Sequence, residues 1–283
     1  MRTKDKMRIA RVIARLLLAK SRPIRQVRRQ EILWELDLRE TIDLSIYLTG
    51  YFQRSVIEHL AANTPANGVV IDVGANRGSV AIPLANIVPT CKVYAIEPVV
   101  ELVDKIHKLL DNNPHLKKRV DVEAAFLGCI GGTADMKLPK SVDASWNLFD
   151  SERRNPVTGA TALPLSLTSV ETLDTFVAKK GLARLDLIKI DVDGYELDVL
   201  RGGESSIKSF RPVIVMEWCP QLSDARGSSL EHLREFWHDT RYVAYRLRWK
   251  RPPIPISWDD LSGIEGVSHV DLILKPEVFS AST

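Results

Sequence analysis

Val69-Val70-Ile71-Asp72-Val73-Gly74-Ala75-Asn76-Arg77-Gly78 decides the fold. An apolar run carrying one acid leads into two glycines four positions apart, with a turn residue between them. Val80, Ala81, Leu84 and Ala85 then repeat at helical spacing. The stretch reads as a buried strand, a tight loop and a helix. Glycines turn sharply and let a ligand lie against backbone, and the start of a helix offers unpaired N–H groups.

The ligand is narrowed by what the loop lacks. A dinucleotide fingerprint runs G-x-G-x-x-G, and the position two after Gly74 is Asn76. An acid near the strand end repels pyrophosphate but suits an ammonium or a hydroxyl. That pattern fits S-adenosylmethionine (SAM), which makes Asp72, Gly74, Ala75, Asn76 and Gly78 candidate cofactor contacts. The next strand, Lys92–Glu97, ends in Glu97, 19 residues after Gly78. A ribose-binding acid is expected near that spacing, and a carboxylate can clamp two hydroxyls. Glu123 and Ala124, at the end of a third strand over 120–125, complete the expected cofactor set. A plain nucleotide fold holding another cofactor is the competing reading.

Working outward, the 283 residues suit one large α/β domain with an extension. Residues 1–29 hold eleven Lys or Arg against one acid, Asp5; with a net charge of +3 overall, the remainder stands at −7. Cys91, Cys129 and Cys219 form no C-x-x-C pair and the six His do not cluster, so no metal site is visible and reduced thiols of a cytoplasmic protein are expected. No apolar run reaches the 18 residues that a membrane span needs.

Ile9, Val12, Ile13, Leu16 and Leu17 make the stripe of an amphipathic helix over 7–20, with Arg8, Arg11 and Arg15 on the other side. Such a helix lies on an anionic membrane or docks on its own domain or on a twin subunit; docking is the favoured expectation. Residues 30–63 read as further helix, with a domain boundary near 60. That leaves 1–60 as a basic helical extension, and residues 1–29 are expected to be dispensable for cofactor binding. Beyond Glu97, helix over 99–112, strand over 120–125, helix over 171–180, strand over 185–191 and strand over 212–218 alternate. This implies a mostly parallel sheet with right-handed crossovers. The polar stretch 139–162, with Trp146, Arg153, Arg154 and Asn155, is long for a loop in a compact domain and is the candidate substrate lid.

Several motifs then match one family in order. Ile71-Asp72-Val73-Gly74-Ala75-Asn76-x-Gly78, Ala95-Ile96-Glu97-Pro98, Thr172-Leu173-Asp174, Leu187-Ile188-Lys189-Ile190-Asp191-Val192-Asp193-Gly194-x-Glu196 and Val199-Leu200-Arg201-Gly202 resemble the FkbM family of SAM-dependent methyltransferases. The resemblance covers about residues 45–220. It implies a Rossmann-like, seven-stranded methyltransferase fold and O-methyl transfer to sugars, polyketides or other secondary metabolites. Two positions depart from the family's pattern: Asp193 stands where Glu is usual, and Gln53 replaces an acid after Gly50-Tyr51-Phe52.

Asp191, Asp193 and Glu217 are the candidate catalytic residues, since ligands of such sheets lie beyond the carboxyl ends of the strands. An alcohol acceptor loses a proton on methylation, so a base within reach helps. For Asp191 to serve, Glu217 or burial has to raise its pKa. Asp193 is either such a group or a helix N-cap with Glu196 as its reciprocal partner. Asp191-Val192-Asp193-Gly194 lacks the Asn/Asp-Pro-Pro-aromatic turn of amino methyltransferases, and no nucleic-acid partner is expected. The alternative function is a SAM-binding scaffold with little catalytic activity.

Overall fold

A computed structural model describes residues 3–19, 22–129, 141–145, 161–164, 169–257, 260–261 and 269–277. The chain opens with helix α1 (Thr3–Leu18) and a hairpin of β1 (Ile24–Arg29) and β2 (Ile32–Asp37), followed by α2 (Thr41–Thr49) and α3 (Arg54–Asn63). The alternating core follows: β3 (Val69–Val73), α4 (Ala81–Ile87), β4 (Lys92–Ile96), α5 (Val100–Asn112), β5 (Val120–Glu123) and β6 (Ala125–Leu127). Two short strands, β7 (Ser141–Ser145) and β8 (Thr161–Pro164), pair with each other, and β9 (Ser169–Glu171) pairs with β6. Then come α6 (Leu173–Lys179), β10 (Leu187–Ile190), α7 (Glu196–Gly202), α8 (Glu204–Phe210), β11 (Val213–Trp218), α9 (Pro220–Ala225), α10 (Leu230–Thr240), β12 (Tyr242–Arg248), β13 (Arg251–Pro255) and β14 (Val270–Pro276).

The central sheet has eight strands in the order β13-β12-β14-β11-β10-β3-β4-β5. β11 through β5 run parallel, while β14, β12 and β13 are antiparallel. This is the expected Rossmann-like architecture, with β13 as an additional edge strand. Alternate residues of each strand feed opposite layers. Val70 and Leu187 join one core half, and Ile71, Val73, Ile188 and Ile190 join the other. Burial on both faces explains the near-continuous apolar runs of these strands.

The N-terminal region differs from the expectation of helix over 30–63. Ile32, Trp34 and Leu36 are buried alternately on β2, a period of two rather than 3.6. Gln30 and Glu31 both take positive φ, at +50° and +61°, which a two-residue reversal of this hand requires. Nor does residue 60 divide two cores. Ile32, Trp34, Leu36, Ile42 and Leu60 pack in one cluster with Val70, Ile82 and Ile106. Residues 1–60 are therefore not a helical extension, because β2, α2 and α3 complete one layer over the sheet.

Helix α1 also docks differently from its sequence pattern. Ala14 is fully buried, and Ala10, Leu17 and Leu18 pack beside it. Ile9, Val12 and Leu16 of the predicted stripe face outward.

Candidate active site

The crossovers from β3 run one way, to β4 and β5, while the chain returns to the other side of β3 with β10 and β11. The reversal lies between β3 and β10, and the crevice beyond such a switch point is where ligands bind. Gly74, Asn76 and Gly78 follow β3 with φ of +75°, +52° and +77°. The amides of Gly74 and Ala75 both donate to the Ile96 carbonyl at 3.0 Å, which pins the loop to β4. A Cβ on Gly74 would sit 1.9 Å from the Asp191 carbonyl oxygen, and one on Gly78 would meet Ile82 at 2.9 Å. These glycines are thus demanded by the neighbouring strand and helix. The expectation that they clear space for a ligand is not what their surroundings show.

Arg77 anchors the loop from below. It is buried, its Nη1 is 2.7 Å from Asp43 Oδ2, and its backbone amide donates to Asn76 Oδ1 at 2.9 Å. The same Asp43 oxygen accepts the Asp37 amide at 2.8 Å, so the β2–α2 corner and the glycine loop share one carboxylate. Sequence reasoning missed this link, because Asp43 lies on a helix remote in the chain.

Glu97 is buried at the end of β4, where its Oε2 accepts the Asn76 amide at 2.8 Å and its Oε1 the Val99 amide at 3.0 Å. Burial pushes its carboxyl up to about 7 against those two hydrogen bonds. A carboxylate offers about four lone-pair sites, so roughly two remain for a ribose diol and the residue fits the predicted clamp. Glu123 is placed otherwise. Its carbonyl accepts the Glu97 amide at 3.1 Å, but its carboxylate is held by Lys179 and Lys180, each at 2.7 Å. Burial raises that carboxyl and the two ammonium groups outweigh it, leaving it below its ordinary value. Glu123 therefore supports Glu97 through backbone rather than offering its own side chain. Ala124 is exposed beside it, and Ala75 is buried.

Asp72 was expected to meet the ligand's ammonium. It is instead 1% exposed, and the ammonium beside it is that of Lys189, at 3.1 Å. Lys189 lies opposite Asp72 in the β3–β10 register and is itself buried. Its Nζ also donates to the Gly74 carbonyl at 3.0 Å and stands 3.5 Å from Asp191 Oδ2. Burial works against its charge, but Asp72 and Asp191 outweigh burial and raise its pKa. One cation thus joins the strand acid, the cofactor loop and the next strand's terminal acid. In the sequence Lys189 is hidden inside an apolar run.

Asp191, Glu217 and Asp271 line a narrow crevice with Gln53, Lys189 and Met216. Gln53 Nε2 donates to Asp191 Oδ2 at 3.0 Å, which gives the departure at position 53 a physical sense: an amide can donate where a carboxylate would repel. Burial raises Asp191, but Lys189, then the hydrogen bonds from Gln53 and Glu217, hold it below the usual carboxylate range. Glu217 goes the other way, raised well above its ordinary value by burial and by the charges of Asp191 and Asp271. The expectation that Glu217 raises Asp191 is therefore reversed. Lys189 and Gln53 both sit on the Asp191 side of this adjoining pair, so negative charge is favoured on Asp191 and disfavoured on Glu217. Asp271, facing Glu217 across β11 and β14, is pushed up to about 6 by burial and by Asp191.

Asp193 does not cap α7, since the N-cap is Tyr195. It takes φ +50° in the loop, and its charge bears on Glu217. Glu196 organises this loop instead, accepting the amides of Val192 at 3.2 Å and Gly194 at 3.1 Å. The predicted lid falls largely outside the described residues; only its ends appear, as β7 and β8.

Comparison with known proteins follows the same lines. The family model of the methyltransferase FkbM domain matches residues 72–247. The protein named methyltransferase sdnD from Sordaria araneosa is 28% identical over 181 residues, 56% of this chain and 70% of its own length. Among solved structures, methyltransferase FkbM from Methylobacillus flagellatus KT aligns at 15% identity with a TM-score of 0.46. That alignment covers 82% of this chain and 52% of the other, so this chain spans about half of that protein. M. jannaschii TYW2, solved in complex with AdoMet, aligns at 14% identity over 91% of this chain and 88% of its own, with a TM-score of 0.40.

Proposed function

The chain belongs to the FkbM methyltransferase family, and from that premise we propose that it transfers the methyl group of SAM to a hydroxyl oxygen on a sugar, glycan or secondary metabolite. When bound, SAM supplies a methyl group activated on a sulfonium. The rest of the chemistry belongs to the chain. Glu97 accepts hydrogen bonds from the ribose hydroxyls, and the loop after β3, whose amides are paired with Ile96, Glu97, Asn76 and Ala75, flanks the cofactor as a preformed wall at the adjoining strand end.

The observation that carries the oxygen-acceptor reading is the placement of the Asp191 carboxyl, 3.5 Å from the Lys189 ammonium and 3.0 Å from the Gln53 amide, with its own backbone packed on Gly74. Its depressed pKa makes it a weak base but a constant hydrogen-bond acceptor. It orients an acceptor hydroxyl, aims an oxygen lone pair at the methyl group, and takes up the proton as the new bond forms. Orientation of this kind supplies much of the barrier lowering in a bimolecular transfer. Burial and the charge of Asp191 raise Glu217 beside it, which favours the neutral carboxyl that can donate to Asp191.

Asp191→Asn keeps the shape and removes the charge. We expect SAM affinity to survive while turnover with labelled SAM and hydroxylated acceptors falls by about 10²–10⁴, the range for a lost base or orienting group. Weakened SAM binding with unchanged turnover at saturating SAM would make Asp191 a brace for the cofactor. Tight SAM binding with no labelled acceptor from any extract would instead favour the scaffold reading.

A further inference from the structure

Helix α1 is amphipathic twice over. Its docked side, Ala10, Ala14, Leu17 and Leu18, packs on the core, and the Arg25 guanidinium fixes its end by donating to the Leu17 carbonyl at 2.7 Å. A second apolar stripe is left exposed. Ile9 is 48% exposed, Val12 52% and Leu16 72%, at i, i+3 and i+7 of one helix face. A globular protein gains nothing from holding three large apolar side chains in line in water, and such a patch marks a docking surface.

We propose that α1 is a peripheral docking element for an anionic lipid surface, lying flat with Ile9, Val12 and Leu16 inserted among the headgroups. Three observations select this occupant. The first 22 residues carry eight Lys or Arg against Asp5 alone, and Arg15 is exposed on α1 itself. Two copies meeting through this helix would bring like charges together, whereas an anionic surface attracts them. The stripe is also convex, running along a helix whose other side is already docked, so a deformable interface covers it more completely than a rigid protein face. No helix among the described residues is long and apolar enough to cross a membrane, so the contact is peripheral.

Cosedimentation of the full chain with vesicles tests this. Phosphatidylcholine vesicles containing phosphatidylserine should carry the protein down, pure phosphatidylcholine vesicles should not, and added salt should release it. Val12→Glu combined with Leu16→Glu, both at exposed positions, should reduce partitioning roughly tenfold or more by removing apolar insertion. Its melting temperature and SAM affinity should match the parent. Binding that ignores lipid charge, or that the double variant leaves intact, overturns the proposal. So does loss of binding only on Trp249→Glu, which would move the contact to the exposed tip between β12 and β13. A concentration-dependent dimer that the same double variant abolishes would assign the stripe to a second copy.

Discussion

Lys189 sets the electrostatics of the crevice from inside the sheet. It reaches Asp72, the Gly74 carbonyl and Asp191 at once; strand register sets Asp72 opposite it, and the other two sit just past the ends of β3 and β10. Lys189→Met leaves Asp72 buried with its charge uncompensated, and breaking such a pair costs about 3–5 kcal/mol. Urea unfolding should show that loss. Asp72→Asn added to Lys189→Met should recover part of it, so the double variant is more stable than the single losses sum to; strict additivity would show that the two do not interact. The acids at the strand ends were legible because their spacing from the glycines is fixed by the fold. Lys189 was not, because a lysine between isoleucines looks like an interruption until a neighbouring strand brings Asp72 beside it. The direction of the Asp191–Glu217 pair was equally out of reach, since it depends on Gln53, 138 residues away in the chain.

At the scale of elements, the hairpin of β1 and β2 carries the cofactor loop's support. Arg25 donates to the Tyr47 hydroxyl at 2.8 Å and Arg29 to the Tyr47 carbonyl at 2.9 Å, so β1 clamps α2. α2 in turn presents Asp43 to Arg77. Removing residues 1–19 takes away only α1, and SAM affinity by calorimetry should stay within about threefold. Removing residues 1–29 strips β2 of its partner, and an isolated strand edge is a route to aggregation. We expect that shorter chain to lose SAM binding and its cooperative melt. Retained affinity would show that the β2–α2 corner stands without β1. The expectation from sequence ran the other way, treating all 29 residues as separable, because basic composition masked the period-two half-burial of Arg25, Val27 and Arg29 on β1. The β–α alternation from Val69 onward was legible because each run is apolar on both faces and punctuated by turns; the extra edge strand β13, with its three prolines, carries no such signature.

Across the whole molecule, buried acids place a pH dependence on stability. Burial raises Glu97 and Glu196 to about 7 and Asp271 to about 6, and it raises Glu217 as well. Each binds its proton more tightly folded than unfolded, so its contribution is complete below the unfolded value, near 4, and is lost as pH rises through the folded value. His59 runs oppositely, because burial and Lys275 push it down to about 4. Its contribution grows from there to its unfolded value near 6.5 and is constant above. The two trends offset one another below about pH 6.5, and only the acids act between there and pH 8. Over that window the melting temperature should fall, and a loss of about 1 kcal/mol corresponds to roughly 2–4 °C for a chain of this size. SAM changes the balance at one of these groups, since ribose hydroxyls donate to the ionised form of Glu97. The thermal shift on adding SAM should therefore be larger at pH 8 than at pH 6, and Glu97→Gln should flatten that difference. A melting temperature that rises from pH 6.5 to 8, or a SAM shift independent of pH, would mean that Glu97 neither holds its proton in the free protein nor meets the cofactor.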